Sequence, residues 1–149
     1  MMTYLSAALP APQPDIDDAP LWAAYREKRM VFQKCGECGK FRHPPMPTCP
    51  QCLSDTVEWA EPVGPAILFT YTITHVAPHP QMTGHTPYNI AIVDFPESDH
   101  VRLITNIVDA EPTPDDIGGP VSPVWEPVGE GSWVPRFRMI ASIELEVES

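Results

Sequence analysis

No stretch of this chain approaches the roughly 20 consecutive apolar residues that a membrane-spanning helix needs. The first twenty positions hold no basic residue ahead of an apolar run, which excludes the layout of a secretory signal peptide. Catalytic signatures are also missing: there is no nucleophile elbow, no phosphate-cradling glycine loop and no paired-carboxylate motif. With 149 residues the chain has room for one or two small domains and not for a large catalytic core, so catalysis by this chain alone is not expected. Positive charge is scarce, with 9 Lys and Arg against 20 Asp and Glu and a net charge of −11. Such a chain repels nucleic-acid phosphates and anionic membranes, and neither is expected as a partner.

Cysteine is limited to four residues, all in two knuckles, Cys35-Gly-Glu-Cys38 and Cys49-Pro-Gln-Cys52. Four thiolates at this spacing suit a tetrahedral Zn²⁺ ion. Without a secretion signal, the pairing points to a reducing cytoplasm and to thiolate ligation rather than disulfides. Cys35, Cys38, Cys49 and Cys52 are therefore the candidate metal ligands. A closed set of four leaves no open coordination position, so the metal is expected to be structural; iron in a rubredoxin-like site is the alternative. Pro44, Pro45 and Pro47 stiffen the segment between the knuckles, which brings both around one ion as in a zinc ribbon.

Residues 1–15, with Pro10, Pro12 and Pro14 among small residues, read as a flexible lead-in. Residues 16–34 read as a helical segment and the first ribbon strand. Asp17 or Asp18 followed by Ala19-Pro20 resembles a helix start, and Leu21, Trp22, Tyr25 and the stem of Arg29 make one largely apolar face over about three turns. That face is covered either by the protein's own core or by a partner. The ribbon is placed at 35–60. From Val63 the period changes to two, with Ile67, Phe69, Tyr71, Ile73 and His75 on one side of a long strand and Leu68, Thr70, Thr72, Thr74 and Val76 on the other. Further strands are expected at Asn89–Phe95, Val101–Val108, Val121–Val128 and Val134–Met139, separated by turn signals. Five strands with short turns over 61–140 predict a small closed barrel of the oligonucleotide/oligosaccharide-binding (OB) type. The fold class is thus mainly β, with a short N-terminal helix, a rubredoxin-like four-cysteine zinc ribbon and a five-stranded OB-fold barrel. Residues 141–149, alternating as Ile143-Glu-Leu-Glu-Val-Glu148, read as an edge strand or an acidic tail.

This order of elements resembles a family of zinc-ribbon/OB-fold proteins associated with acyl-CoA enzymes, a domain-of-unknown-function class. The resemblance is carried by Leu21-Trp22, the Cys35–Gly39 run, Pro45 ahead of Cys49-Pro-x-Cys52, Trp59, Phe69-Thr70, Pro87-Tyr88, Leu103-Ile104-Thr105-Asn106, Ile117-Gly118 and Pro135-x-Phe137. It covers about residues 16–138. The chain departs from the pattern where Gly64-Pro65-Ala66 replaces a Gly-x-Gly and where Met46, rather than Arg, follows Pro45. Residues 139–149 run beyond the family's usual end.

The resemblance implies an accessory subunit of an acyl-CoA-processing hetero-oligomer, with a thiolase-fold thiolase, aldolase or acyltransferase as partner, or else a hotdog-fold enoyl-CoA hydratase. It implies structural zinc and a CoA ester shared at the complex. Six basic residues against two acidic ones at 26–42 form a collar around the metal, whereas 54–149 hold three basic residues against fifteen acids. The collar balances the thiolate charge, or receives CoA phosphates, for which Arg26, Arg29 and Arg42 are the candidates because guanidinium forks match phosphate oxygens, or meets nucleic acid. The last is the alternative reading, a nucleic-acid-binding zinc-ribbon/OB protein, against which the barrel's charge argues. Trp22, Tyr25 and Phe32 are the candidate partner-facing residues. His75, His79 and His85 lie in a Pro/Gly-rich stretch with no acid between Thr74 and Asp94 to orient them, and read as a solvated loop.

Overall fold

The computed structural model describes residues 2–140. Helix α1 (Ala19–Arg26) leads into a three-stranded sheet of β1 (Phe32–Cys35), β2 (Phe41–Arg42) and β3 (Val57–Ala60), in the order β2-β1-β3. A five-stranded sheet follows, built from β4 (Ala66–Thr74), β5 (Tyr88–Phe95), β6 (Val101–Thr105), β7 (Pro120–Val128) and β8 (Ser132–Met139) in the order β6-β5-β4-β7-β8. All neighbours are antiparallel. The two ends of this sheet meet: Ile107 bridges Phe137 in parallel, Phe137 N–H donates to Asn106 O (3.0 Å) and Val108 N–H donates to Phe137 O (2.7 Å). The result is a nearly closed five-stranded barrel, as the strand periodicity predicts. The alternation at 143–148 lies outside the described residues.

The helix is shorter than the expected three turns. Lys28 adopts a left-handed conformation (φ 58°), and the amides of Lys28 and Arg29 turn back to the carbonyls of Tyr25 and Ala24 (2.9 and 3.0 Å). This closure satisfies the last carbonyls of the helix and reverses the chain. Lys28 then lays its ammonium over the Trp133 ring, 4.0 Å from the centroid. Leu21, Ala24 and Tyr25 face inward at the i, i+3, i+4 spacing, whereas Arg29 is exposed.

In β4 the predicted alternation breaks. Leu68 is fully buried, while Phe69, placed on the apolar face by its period, is exposed. The register between β4 and β5 shifts between Leu68 and Thr70, so one extra residue flips the sides of the strand. Beyond the shift, Tyr71 packs against the core. The displaced Phe69 ring lies under the Arg102 guanidinium at 3.8 Å.

The ribbon and the barrel share one core. Phe32 of β1 is 0 % exposed and packs with Leu68, Val93, Phe95, Leu103, Ile107 and Phe137 of the barrel. Its ring meets Phe95 edge-on at 5.0 Å and His43 at 5.4 Å. Two polar staples reinforce the junction: Phe41 N–H donates to Asp99 Oδ2 (2.9 Å), and Ser98 Oγ both accepts from Val63 N–H (2.6 Å) and donates to Val63 O (2.9 Å).

The expected flexible lead-in is instead a strap across one end of the barrel. Tyr4 N–H donates to the buried Glu126 carboxylate (3.1 Å), and the Tyr4 hydroxyl accepts from Asn89 main-chain and side-chain N–H (2.7 Å each) while donating to Glu111 (3.0 Å). Gly129 N–H donates to Ala7 O (2.8 Å), and a Cβ at Gly129 would come within 2.5 Å of Ala11 N. Only glycine fits beneath the strap at this hairpin.

Candidate metal centre

Each knuckle is a tight turn built by local backbone bonds. Gly39 N–H donates to Cys35 O (3.0 Å) and Leu53 N–H to Cys49 O (2.9 Å). The residue after each second cysteine is left-handed, Gly39 at φ 77° and Leu53 at φ 65°. The two turns therefore have the same geometry, and glycine eases it in only one of them. Strand pairing holds them together, since Cys35 ends β1 and sits opposite Val57 of β3.

The four Sγ atoms lie within 4.8 Å of one another, with Cys35–Cys52 and Cys38–Cys49 both at 3.6 Å. A tetrahedron with Zn–S bonds of about 2.3 Å has an edge of about 3.8 Å, so the set fits the ion with little adjustment. Cys35 and Cys49 are buried; Cys38 and Cys52 reach the surface. Cys35 Sγ accepts from Cys38 and Glu37 N–H (3.4 Å each), and these donors, Cys38 first, hold its pKa down to about 6. Cys49 is likewise lowered, chiefly by the amides of Cys52 and Gln51. For Cys52 the Ser54 amide pulls down, but the neighbouring sulfurs, Cys35 first, push the pKa up to about 11. Two thiols primed to ionise beside one that resists describe a donor set that a dication completes, because the cation offsets the repulsion between thiolates. Such a centre ties β1 to the loop before β3 and offers no fourth position to a substrate. Among the described residues these cysteines are the only group of three or more His, Cys, Asp or Glu placed to hold a metal.

The other sequence-derived candidates separate. Arg26 and Arg29 are exposed beside the ribbon, with Arg29 Nε 3.0 Å from Glu27 Oε2. Arg42 corrects the phosphate-contact expectation, being only 6 % exposed. Its Nε donates to Gln33 Oε1 (2.6 Å) and its Nη2 to Met46 O (3.1 Å), while Met46 N–H donates to the same Gln33 oxygen (2.8 Å). Gln33 and Arg42 are cross-strand partners in the β1–β2 register, so both lie on the face of the ribbon sheet opposite Phe32, where together they pin the proline loop ahead of Cys49. Sequence reasoning missed Gln33; an uncharged polar residue between Phe32 and Lys34 reads from its period as outward-facing, and its burial comes only from the proline loop that covers that face.

Tyr25 and Phe32 are also corrected. Both are buried against the chain's own residues, Tyr25 meeting Trp22 and Trp125 edge-on at 5.4 and 5.3 Å, and neither presents a surface to a partner. Burial drives the Tyr25 phenol above its ordinary pKa range. Trp22 is half-buried, donates from Nε1 to Asp18 Oδ2 (3.2 Å), and lines a cavity of about 170 Å³ with His43, Ile104 and Arg136. The three loop histidines do not converge. His79 Nδ1 accepts from Gln81 N–H within its own short 3₁₀ turn (Pro80–Met82), and His85 Nδ1 is 3.4 Å from Tyr4 O. Asp116 caps Thr113 N–H (2.8 Å).

Comparison with known proteins places these features in a family. Residues 22–58 match the ChsH2 rubredoxin-like zinc ribbon domain and residues 59–126 the ChsH2 C-terminal OB-fold domain. The chain is 35 % identical over 132 residues to a Thermomonospora curvata protein named "Probable enoyl-CoA hydratase alpha subunit"; this covers 89 % of the chain but 40 % of that protein. The chain therefore spans less than half the length of that relative. It is 31 % identical over 111 residues to a DUF35 domain-containing scaffold protein of Methanocaldococcus jannaschii, covering 73 % of the chain and 77 % of the relative. Among solved structures, one described as an Ltp2-ChsH2(DUF35) aldolase superposes with a TM-score of 0.75 at 33 % identity, over 87 % of this chain and 98 % of that one. A DUF35-family protein of unknown function from Sulfolobus solfataricus shares the fold, with a TM-score of 0.54 at 18 % identity over 79 % of this chain and 81 % of that one. Taken with the four-sulfur centre and the barrel order, these matches identify the chain as a member of the ChsH2-type DUF35 family of zinc-ribbon/OB-fold proteins.

Proposed function

We propose that this chain is a non-catalytic accessory subunit of an acyl-CoA-processing complex, bracing a thiolase-fold thiolase, aldolase or acyltransferase and helping to hold or pass the acyl-CoA. The observation that carries this reading is the likeness, over nearly the whole of the neighbouring chain, to the ChsH2(DUF35) component of an Ltp2 aldolase structure. The chemistry agrees with it. The one metal-competent cluster among the described residues is closed, and the three histidines are dispersed, so the reacting groups belong to the partner. Zn²⁺ is the metal the ribbon family implies and the sulfur spacing fits, and its role is structural. Arg26 and Arg29 remain the candidate contacts for CoA phosphates, and Trp22 the candidate partner contact. A cytoplasmic location follows from reduced, metal-binding cysteines, and no described helix is long and apolar enough to cross a membrane.

A second reading has its own support. The relationship to part of a protein named as an enoyl-CoA hydratase alpha subunit favours a hotdog-fold hydratase as partner. Capture of the tagged chain from its native cell, with the bound protein identified by mass spectrometry, tests both. A thiolase-fold protein in near-equal amount supports the first reading and a hydratase the second. Recovery of nucleic acid, or turnover of an acyl-CoA by the chain alone, overturns both.

A further inference from the structure

Residues 62–93 contain no Asp, Glu, Lys or Arg, in a chain whose composition is 19 % charged. Strand β4 runs through this stretch. Its pairing with β5 extends from Ile67 to Thr74, but its pairing with β7 stops at Ile67, and bonds with Gly118 and Gly119 carry it only to Leu68. Among the described residues, no backbone hydrogen bond from another element reaches Thr70–Thr74 on that side. Sheet edges in soluble proteins are ordinarily protected by charge, by proline or by brevity. This one has no charge and no proline between Ala66 and Ala77, and Phe69, Ile73 and Val76 around it are 41, 37 and 71 % exposed.

The open stretch is Thr70-Tyr71-Thr72-Ile73-Thr74, which is close to palindromic. We propose that it is a homodimer interface in which β4 of two copies pairs antiparallel about a two-fold axis through Thr72. Thr72 then faces Thr72 of the second copy, Thr70 faces Thr74, and Tyr71 faces Ile73. Thr–Thr and aromatic–β-branched pairs directly across strands are favourable, and a two-fold axis closes the contact with no edge left over at the join. Charge selects the same place. Two chains of −11 repel over most of their surfaces, and the stretch 62–93, free of Asp, Glu, Lys and Arg, lets them approach without opposing like charges. The pairing leaves the metal centre untouched and holds whether or not an acyl-CoA enzyme is the partner.

Sedimentation velocity of the zinc-loaded chain alone, from micromolar to several hundred micromolar, tests the proposal. The expected result is a concentration-dependent dimer. Thr72→Lys, which sets two like charges across the axis, weakens it by at least about tenfold, and Thr72→Val preserves it. Amide exchange at 70–74 slows as concentration rises. A chain that stays monomeric throughout overturns the proposal, including one whose 70–74 amides are already protected by another segment of the same chain. A dimer unaffected by Thr72→Lys overturns it too. Should Thr72→Lys not fold, exchange on the unaltered chain decides, and the absence of concentration-dependent protection at 70–74 refutes the interface.

Discussion

Replacing Phe32 by Ala removes the large ribbon side chain that is fully buried in the barrel core, where Phe41 of β2 is only partly buried. The ring is fully buried and packs edge-on against Phe95 and His43. A buried Phe removes about 200 Å² from water, which at about 25 cal/mol per Å² sets an upper value of about 5 kcal/mol. Measured Phe→Ala losses in cores run at about 3–5 kcal/mol. Total stability of a domain this size is about 5–15 kcal/mol, so the variant gives up about a fifth of it or more. In thermal terms the melting midpoint falls by about 10 °C. The assay is urea and thermal unfolding at a fixed free zinc concentration, because bound metal shifts the midpoint by mass action. Far-UV charge-transfer absorption of the zinc–thiolate centre follows the ribbon, and the fluorescence of Trp125 and Trp133, read in a background with Trp22 and Trp59 replaced by Phe, follows the barrel. The two signals are expected to move together, in both proteins and by the same amount. A loss under about 1 kcal/mol, or a ribbon transition well separated from the barrel's in the unaltered protein, refutes the shared core. Phe32→Leu keeps most of the volume and is expected to lose less than half as much.

Leu53→Gly relieves a left-handed residue whose side chain is 78 % exposed, and is expected to stabilise the zinc-loaded chain by about 0.5–1 kcal/mol in the same unfolding assay. Cys49→Ser is expected to abolish stoichiometric zinc by elemental analysis and to lower the melting point sharply, since metal binding in small thiolate sites contributes on the order of 10 kcal/mol to folding; full zinc in a folded variant refutes the ligand assignment. Glu126→Ala leaves the buried Arg136 guanidinium, 3.3 Å from the lost carboxylate, and the Tyr4 amide without their partner, and is expected to cost about 3 kcal/mol or more by urea unfolding. Burial raises the Tyr4 pKa from 10.0 to about 12, so the folded state favours the neutral phenol; its contribution is intact below about pH 10 and is lost as the pH rises toward 12. Absorbance titration at the phenolate band should show this delayed ionisation, and Tyr4→Phe should remove it.

What was legible in the sequence had a short-range cause. The cysteine spacing placed four sulfurs on one centre because a knuckle closes within four residues, and the structure sets them 3.6 Å apart in pairs. The five barrel strands were readable from period-two alternation, and the helix start from Pro20 after Asp18. The misreadings share a different cause. The break in β4 arises where one extra residue enters its pairing with β5, and nothing in Phe69-Thr70 alone announces it.

By itself, then, the sequence determined the four-cysteine cluster, the order of elements and the family, because each rests on contacts between near neighbours or on a pattern repeated along one strand. Tertiary structure decided what faces solvent. Arg42 looked like a surface cation until the β1–β2 register turned it onto Gln33. Phe32 looked like a partner contact until the barrel closed over it, and Tyr4 like part of a loose lead-in until it met Asn89 and Glu126, residues 85 and 122 positions away. Contacts over such separations leave no local trace, since either partner can be exchanged without changing the pattern around the other. They become definite only when the chain is folded and every buried polar group has to find its partner.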